Sequence, residues 1–152
     1  MKLDATDKKL LALLQTDSKK TTKVYADKLN LSVTAVYERI KRLERTGVIS
    51  NYVALLNKAK VGKSFVAFCH VKLIQHTKEF VEEFENEIVL LSEIGECYHI
   101  SGDYDYLLKI IVSDMEEYRE FMVKKLTAIQ HIGSTQSSFV INEVKHSTVI
   151  TI

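Results

Sequence analysis

The chain has 152 residues, 46% of them hydrophobic and 27% charged, which suits one domain or two small ones with buried cores. No apolar run approaches the ~20 residues that span a bilayer, and the opening MKLDATDKK turns acidic and polar too soon for a secretory leader, so a cytoplasmic setting is expected. The net charge of +1 conceals a division: residues 1–60 carry 13 Lys and Arg against 6 Asp and Glu, a balance of +7, and residues 61–152 carry 8 against 14, a balance of −6. Such an asymmetry suggests a module for a polyanion joined to one that avoids it.

In chain order, Asp4 can cap a first helix running from about Ala5 to Gln15, with Leu10, Leu11 and Leu14 on one face. Asp17 and Ser18 break it, and Lys19 and Lys20 form a basic corner. Thr21 or Thr22 starts a second helix on which Val24, Ala26 and Leu29 are apolar or small. Asn30 follows where that helix must stop, and Asn tolerates the left-handed conformation such stops use. Leu31 plugs the turn, and the Ser32 hydroxyl can cap a third helix. Val36, Ile40 and Leu43 then recur as one buried stripe, while Thr34, Ala35, Glu38, Arg39, Lys41 and Arg42 take the other side. This is the layout of a helix-turn-helix over about residues 22–41, whose second helix enters the major groove of DNA. The helix ends near Arg45, and Gly47 closes a domain over residues 1–47 whose core is small enough to need support.

Beyond Gly47 the residues Val48 to Leu56 are rich in β-formers and read as a linker strand within residues 48–62. It either pairs with the same strand of a second subunit or forms a hairpin wing on the DNA-binding unit. From residue 63 to 152 the pattern becomes strand (Ser64 to Gln75), helix (Lys78 to Glu87), strand (Leu90 to Ser101), strand (Asp105 to Ser113), helix (Glu116 to Ile129) and strand (Ile132 to Val144). That order, βαββαβ, is the ferredoxin-like split unit, an antiparallel sheet with two helices on one face and the other face open to a second subunit. The fold class is therefore α+β.

The stretches LDATDKKLLALLQTDSKKT, LSVTAVYERIKRLERTGVI, NYVALLN and ECYHISGDYDYLLKIIVSDMEEY together resemble the leucine-responsive regulatory protein (Lrp/AsnC, feast/famine) family. The resemblance covers nearly the whole chain. It implies a nucleoid-associated transcription regulator whose ferredoxin-like domain assembles homodimers, often octamers, and binds small effectors, commonly amino acids. Three positions depart from the family pattern: Val33 where many members have Pro, Asn30 where Gly is frequent, and Lys20 where an apolar residue is common.

For double-stranded DNA, Thr34, Ala35, Glu38 and Arg39 are the candidates for base edges, Arg39 toward a guanine and Ala35 toward a thymine methyl. The alternative for Arg39 is a salt bridge to a nearby acid. Ser32, Lys41, Arg42 and Arg45 suit phosphates, with Lys19 and Lys20 farther out, and Tyr37 either packs on the first helices or donates to a phosphate. A dimer would set two such helices one DNA turn or a multiple apart on a pseudo-palindromic site. For an effector, Gly102 and Asp103 make a tight turn in Ser101-Gly102-Asp103-Tyr104-Asp105-Tyr106 whose backbone N–H groups can hold a carboxylate. Asp103 or Asp105 can accept from an amino group, and Thr135, Gln136, Ser137 and Ser138 supply polar groups from the last strand. By resemblance, family effectors bind near this turn between dimers. The alternative is a hairpin turn that only holds register. An enzyme is not expected: His70, His76, His99, His131 and His146 are scattered, and no phosphate-cradling loop occurs. No cofactor or metal is expected either, since C-x-x-C and H-x-x-x-H are missing. Cys69 and Cys97 read as reduced core thiols.

Overall fold

Two of the three helices of the basic segment start at a side chain that holds a free N–H of the first turn. In the computed structural model, which describes residues 2–152, Asp4 precedes α1 (Ala5–Thr16) and forms a reciprocal cap with Asp7. The Asp4 carboxylate accepts from Asp7 N at 2.7 Å, and the Asp7 carboxylate accepts from Asp4 N at 3.2 Å. Helix α2 (Thr22–Leu29) ends at Asn30, which adopts the left-handed conformation with φ +53°. Helix α3 (Val33–Arg45) is capped by the Ser32 hydroxyl, which accepts from Ala35 N at 3.1 Å. Leu10, Tyr25, Ala26, Val36 and Leu43 meet in a small core, and the Tyr25 hydroxyl donates to Asp17 O at the break between α1 and α2.

The second body is a four-stranded antiparallel sheet of β1 (Phe65–Leu73), β2 (Ile94–His99), β3 (Tyr106–Val112) and β4 (Ile132–Phe139), in the order β2-β3-β1-β4. Helices α4 (Lys78–Ile88) and α5 (Met115–Lys124) complete the βαββαβ order. Alternation decides the faces. Ala67, Cys69, Val71 and Leu73 of β1 and Tyr106, Leu108, Ile110 and Val112 of β3 are buried with Phe84 and Ile88 of α4 and Tyr118 and Phe121 of α5. The opposite face carries Val66, Phe68, His70, Leu107, Lys109 and Ile111, and no helix of this body covers it. Among the described residues no helix is long and apolar enough to cross a membrane.

Four features differ from the sequence reading. No strand forms within residues 48–62, where only a short 3-10 turn (Ala59–Val61) occurs, because no strand of this chain pairs there. Helix α5 stops at Lys124 and continues as a 3-10 turn (Leu126–Ala128). Strand β4 ends at Phe139, and the chain divides into one unit reaching Leu55 together with Val144–Ile152, and another spanning Leu56–Glu143. Cys69 is a core thiol, but Cys97 is exposed, because β2 is an edge strand with a neighbour on one side only.

Phe84 is fully buried in the helix-to-sheet layer. Phe84→Ala should cost about 3–5 kcal/mol, read as a lower urea midpoint; a loss below about 1 kcal/mol would mean that this layer is not packed as described.

Candidate DNA interface and effector site

Burial sorts α3 into three strips. Val36 and Leu43 face the core. Thr34, Tyr37, Glu38, Lys41 and Arg45 recur at helical spacing along an exposed strip. Ala35, Arg39 and Arg42 lie between the two and are partly covered. The exposed strip begins at the N-terminal turn of α3, where a recognition helix meets base edges.

Arg39 and Arg42 are held by acids at the start of the chain. Arg39 Nη1 lies 2.7 Å from both Asp4 Oδ2 and Asp7 Oδ1, and Arg42 Nη2 lies 2.6 Å and 2.7 Å from the two oxygens of Asp7. The Asp7 side chain is 1% exposed, against 27% for Arg39 and 39% for Arg42. The salt-bridge alternative describes Arg39, and both arginines fasten α3 to the start of α1, so a base contact at Arg39 or a phosphate contact at Arg42 would have to compete with Asp7. The physical reason is the buried carboxylate, which demands full neutralisation before any external anion can compete. The Arg39 guanidinium also holds the Asp4 carboxyl below its ordinary value, chiefly through their hydrogen bond.

Tyr37 is exposed, with Lys41 Nζ 5.7 Å from its ring centroid. Lys41 donates to Glu44 at 2.9 Å, which raises the lysine's pKa, and Glu44 also accepts from Tyr52 at 3.1 Å. A phosphate at Lys41 would have to draw it from Glu44. Arg45 is exposed at the end of a shallow depression shared with Glu38, Arg39 and Arg42. At the corner, Lys20 lies 3.8 Å from Asp17, and the backbone of Lys19 donates to the same carboxylate.

In the second unit the predicted effector residues separate by face. Gly102 holds φ +130°, a value that suits glycine, at the tip of an exposed turn with Ser101 and Asp103. Tyr104 donates to Gln136 Oε1 at 2.7 Å, and its ring lies 5.2 Å from that of His70 on the open sheet face. Asp105 is occupied otherwise: Oδ2 accepts from Leu73 N at 2.7 Å and Oδ1 lies 3.1 Å from His76 Nε2, with 13% of the side chain exposed. It braces the base of the turn against β1 rather than waiting for an amino group. Thr135 and Ser137, opposite Val71 and Cys69, belong to the helix-side face, and Tyr118 donates its hydroxyl to Ser137. The structure thus gathers Ser101, Gly102, Asp103, Tyr104 and Gln136, and sets Thr135, Ser137 and the Asp105 carboxylate apart. His70 and His76 were missed. The signal for His70 was its place on the outward parity of β1 opposite Gln136. Among the described residues no group of three or more His, Cys, Asp or Glu could hold a metal ion.

Comparison with known proteins bears on both regions. A model of the AsnC-type helix-turn-helix domain matches residues 3–44, and one of the Lrp/AsnC ligand binding domain matches residues 66–150. The chain is 38% identical to the leucine-responsive regulatory protein of Haemophilus influenzae over 148 residues, 97% of this chain and 89% of that one. It is 34% identical to the DNA-binding transcriptional activator DecR of Escherichia coli over 150 residues, 99% of each. Its structure is similar to that of a transcriptional regulator from Neisseria meningitidis crystallised as an L-Met complex, with TM-score 0.94, 32% identity, and coverage of 98% of this chain and 96% of that one.

Two outcomes follow from the ion-pair cluster. Because the folded pKa of Asp4 lies below 3.8, its contribution is complete above that pH and is lost as pH falls through the lower folded value. The stability difference between the parent and Asp4→Asn, measured by urea unfolding, should be present at neutral pH and close in strong acid; a difference that persists there would contradict the pairing. Arg39→Ala should weaken binding to specific and scrambled DNA by similar factors, since it disturbs how α3 is held. A loss confined to specific DNA in an anisotropy titration would restore the base-contact role.

Proposed function

The chain belongs to the Lrp/AsnC family of DNA-binding transcriptional regulators, and we propose that its two units divide the work as follows. The exposed strip of α3 enters the major groove, with Thr34, Glu38 and, beside them, Ala35 at base edges. Ser32, Tyr37, Lys41 and Arg45 meet phosphates there, and Lys19 and Lys20 do so at the corner. Arg39 and Arg42 are positioning residues acting through Asp7. The observation that carries this reading is the combination of that outward strip with the +7 balance of residues 1–60. Phosphate neutralisation makes such binding fall with salt.

DNA affinity or assembly is modulated by a small effector, and the class we propose is an amino acid. The free tip Ser101-Gly102-Asp103 offers backbone N–H groups to a carboxylate and the Asp103 carboxylate to an ammonium group. Tyr104, Gln136 and His70 wall the adjoining sheet face. The L-Met complex of the similar Neisseria regulator supports an amino acid as the ligand class. The uncovered sheet face, with the partly exposed Phe68, Leu107 and Ile111, suits a second copy of the chain, and Tyr52, Val53, Leu55 and Leu56 of the linker are further exposed apolar side chains available to it. Dimers carrying two α3 helices would read a pseudo-palindromic site, and association of dimers, as in an octamer, would place effector turns at their contacts. Effector binding then acts by linkage, shifting assembly or the spacing of helix pairs.

The test is fluorescence anisotropy with DNA from upstream of the chain's own gene and a scrambled control, at two salt concentrations, with and without an amino-acid mixture. Tight binding that favours the upstream DNA, weakens with salt and shifts with the mixture is expected. Weak, equal binding to both would leave a basic surface that docks protein, and the chain would then be a metabolite sensor. Calorimetry of the parent and Asp103→Ala against individual amino acids should show binding lost in the variant.

A further inference from the structure

Residues 144–152 leave the sheet and belong to the same unit as the DNA-binding helices. One side chain of α1 grips them by hydrogen bonds. Gln15, in the last turn of α1, donates from Nε2 to Ile150 O at 3.0 Å and accepts at Oε1 from Ile150 N at 2.7 Å. A neighbouring β-strand would offer the same exchange of one donor and one acceptor. The Ser147 hydroxyl shapes the approach by accepting from Val149 N at 3.2 Å. Beside the clamp, Leu3, Leu11, Ile49 and Val53 join Ile150 and Ile152 around an open hollow of about 390 Å³.

The chain therefore passes between its two units twice, at residues 55–56 and again at residues 143–144. The second passage has a defined origin and a defined end. It begins at β4, which carries Gln136 beside Tyr104, and it ends at Gln15. Gln15 stands about two turns, ~12 Å, along α1 from Asp7, and Asp7 holds Arg39 and Arg42 of α3. A displacement of β4 would have a covalent path to α1, and from Asp7 an ion-paired one to α3.

We propose that residues 144–152 form a strap through which the effector-binding unit acts on the DNA-binding unit, and that Gln15 is its anchor. The proposal rests on the amino-acid reading given above and assigns its route. The clamp is solvent-exposed, so its two hydrogen bonds are weak and reversible. That suits a coupling in the usual range of roughly 5–150-fold rather than an all-or-none lock.

The experiment uses the full chain and two variants, Gln15→Ala, which removes both hydrogen bonds, and Gln15→Glu, which can still accept from Ile150 N but cannot donate to Ile150 O. Anisotropy with the upstream DNA is measured with and without L-methionine, each other amino acid serving as a further probe. Binding of the same amino acid is measured by calorimetry, and amide exchange at Ile150 by NMR. The expected result is that Gln15→Ala binds DNA and amino acid as the parent does, loses the amino-acid-dependent change in DNA affinity, and exchanges faster at Ile150, with Gln15→Glu between. A Gln15→Ala variant that keeps the parent's response overturns the strap. A parent that binds DNA but responds to no amino acid overturns the effector reading instead. Ile150 exchange then judges the anchor alone: equal rates in parent and Gln15→Ala overturn it, and faster exchange in the variant supports it.

Discussion

The carboxylate of Asp7 is the group on which the DNA-binding unit depends. It is almost fully buried, and a buried carboxylate is tolerable only when its oxygens are saturated with donors. Here they are: two guanidiniums from α3 and the backbone N–H of Asp4 converge on it. One acid therefore closes the first turn of α1 and fixes the rotation of α3 relative to it. With Arg39 and Arg42 paired to Asp7, the exposed strip of α3 is carried by Thr34, Tyr37, Glu38, Lys41 and Arg45.

A second carboxylate has the corresponding part in the other unit. Asp105 holds the backbone of Leu73 at the end of β1, while its own backbone N–H donates to Val71 O at 2.9 Å. The base of the turn is thereby part of the sheet, and its tip, at Gly102 and Asp103, is left exposed. A rigid base beneath an open tip is a reasonable design for a ligand site, because the groups that orient the loop are not those that must meet the ligand.

The local chemistry of the fold was legible in the sequence. Asp4, Asn30 and Ser32 mark helix ends by properties that act within a few residues, and the alternation in β3 declares its two faces. What the sequence hid was decided by long-range contact. A guanidinium at position 39 reads the same whether its anion is a phosphate or a carboxylate 32 residues away. In β4, serines and threonine occupy both parities, so hydropathy did not say that Ser137 would meet Tyr118 while Gln136 met Tyr104. The linker is rich in β-formers but has no strand of its own chain to pair with. Nothing in residues 144–152 announces which unit they join.

The uncovered sheet face has a bearing on how such a molecule behaves in a crowded, changing ionic medium. In its middle Lys109 and Glu96 pair at 2.8 Å, with Lys109 only 11% exposed, and Val66, Phe68, Leu107 and Ile111 surround them. The central lysine is neutralised within the face, with Lys72 exposed toward its end, so adhesion through the apolar part would be governed by the removal of apolar surface from water, which added electrolyte does not weaken. The grip of the basic helices on a polyanion is governed by counterions and is weakened by them. An ionic upshift would thus loosen the hold of the basic helices on DNA while leaving any contact made through the apolar face as strong as before.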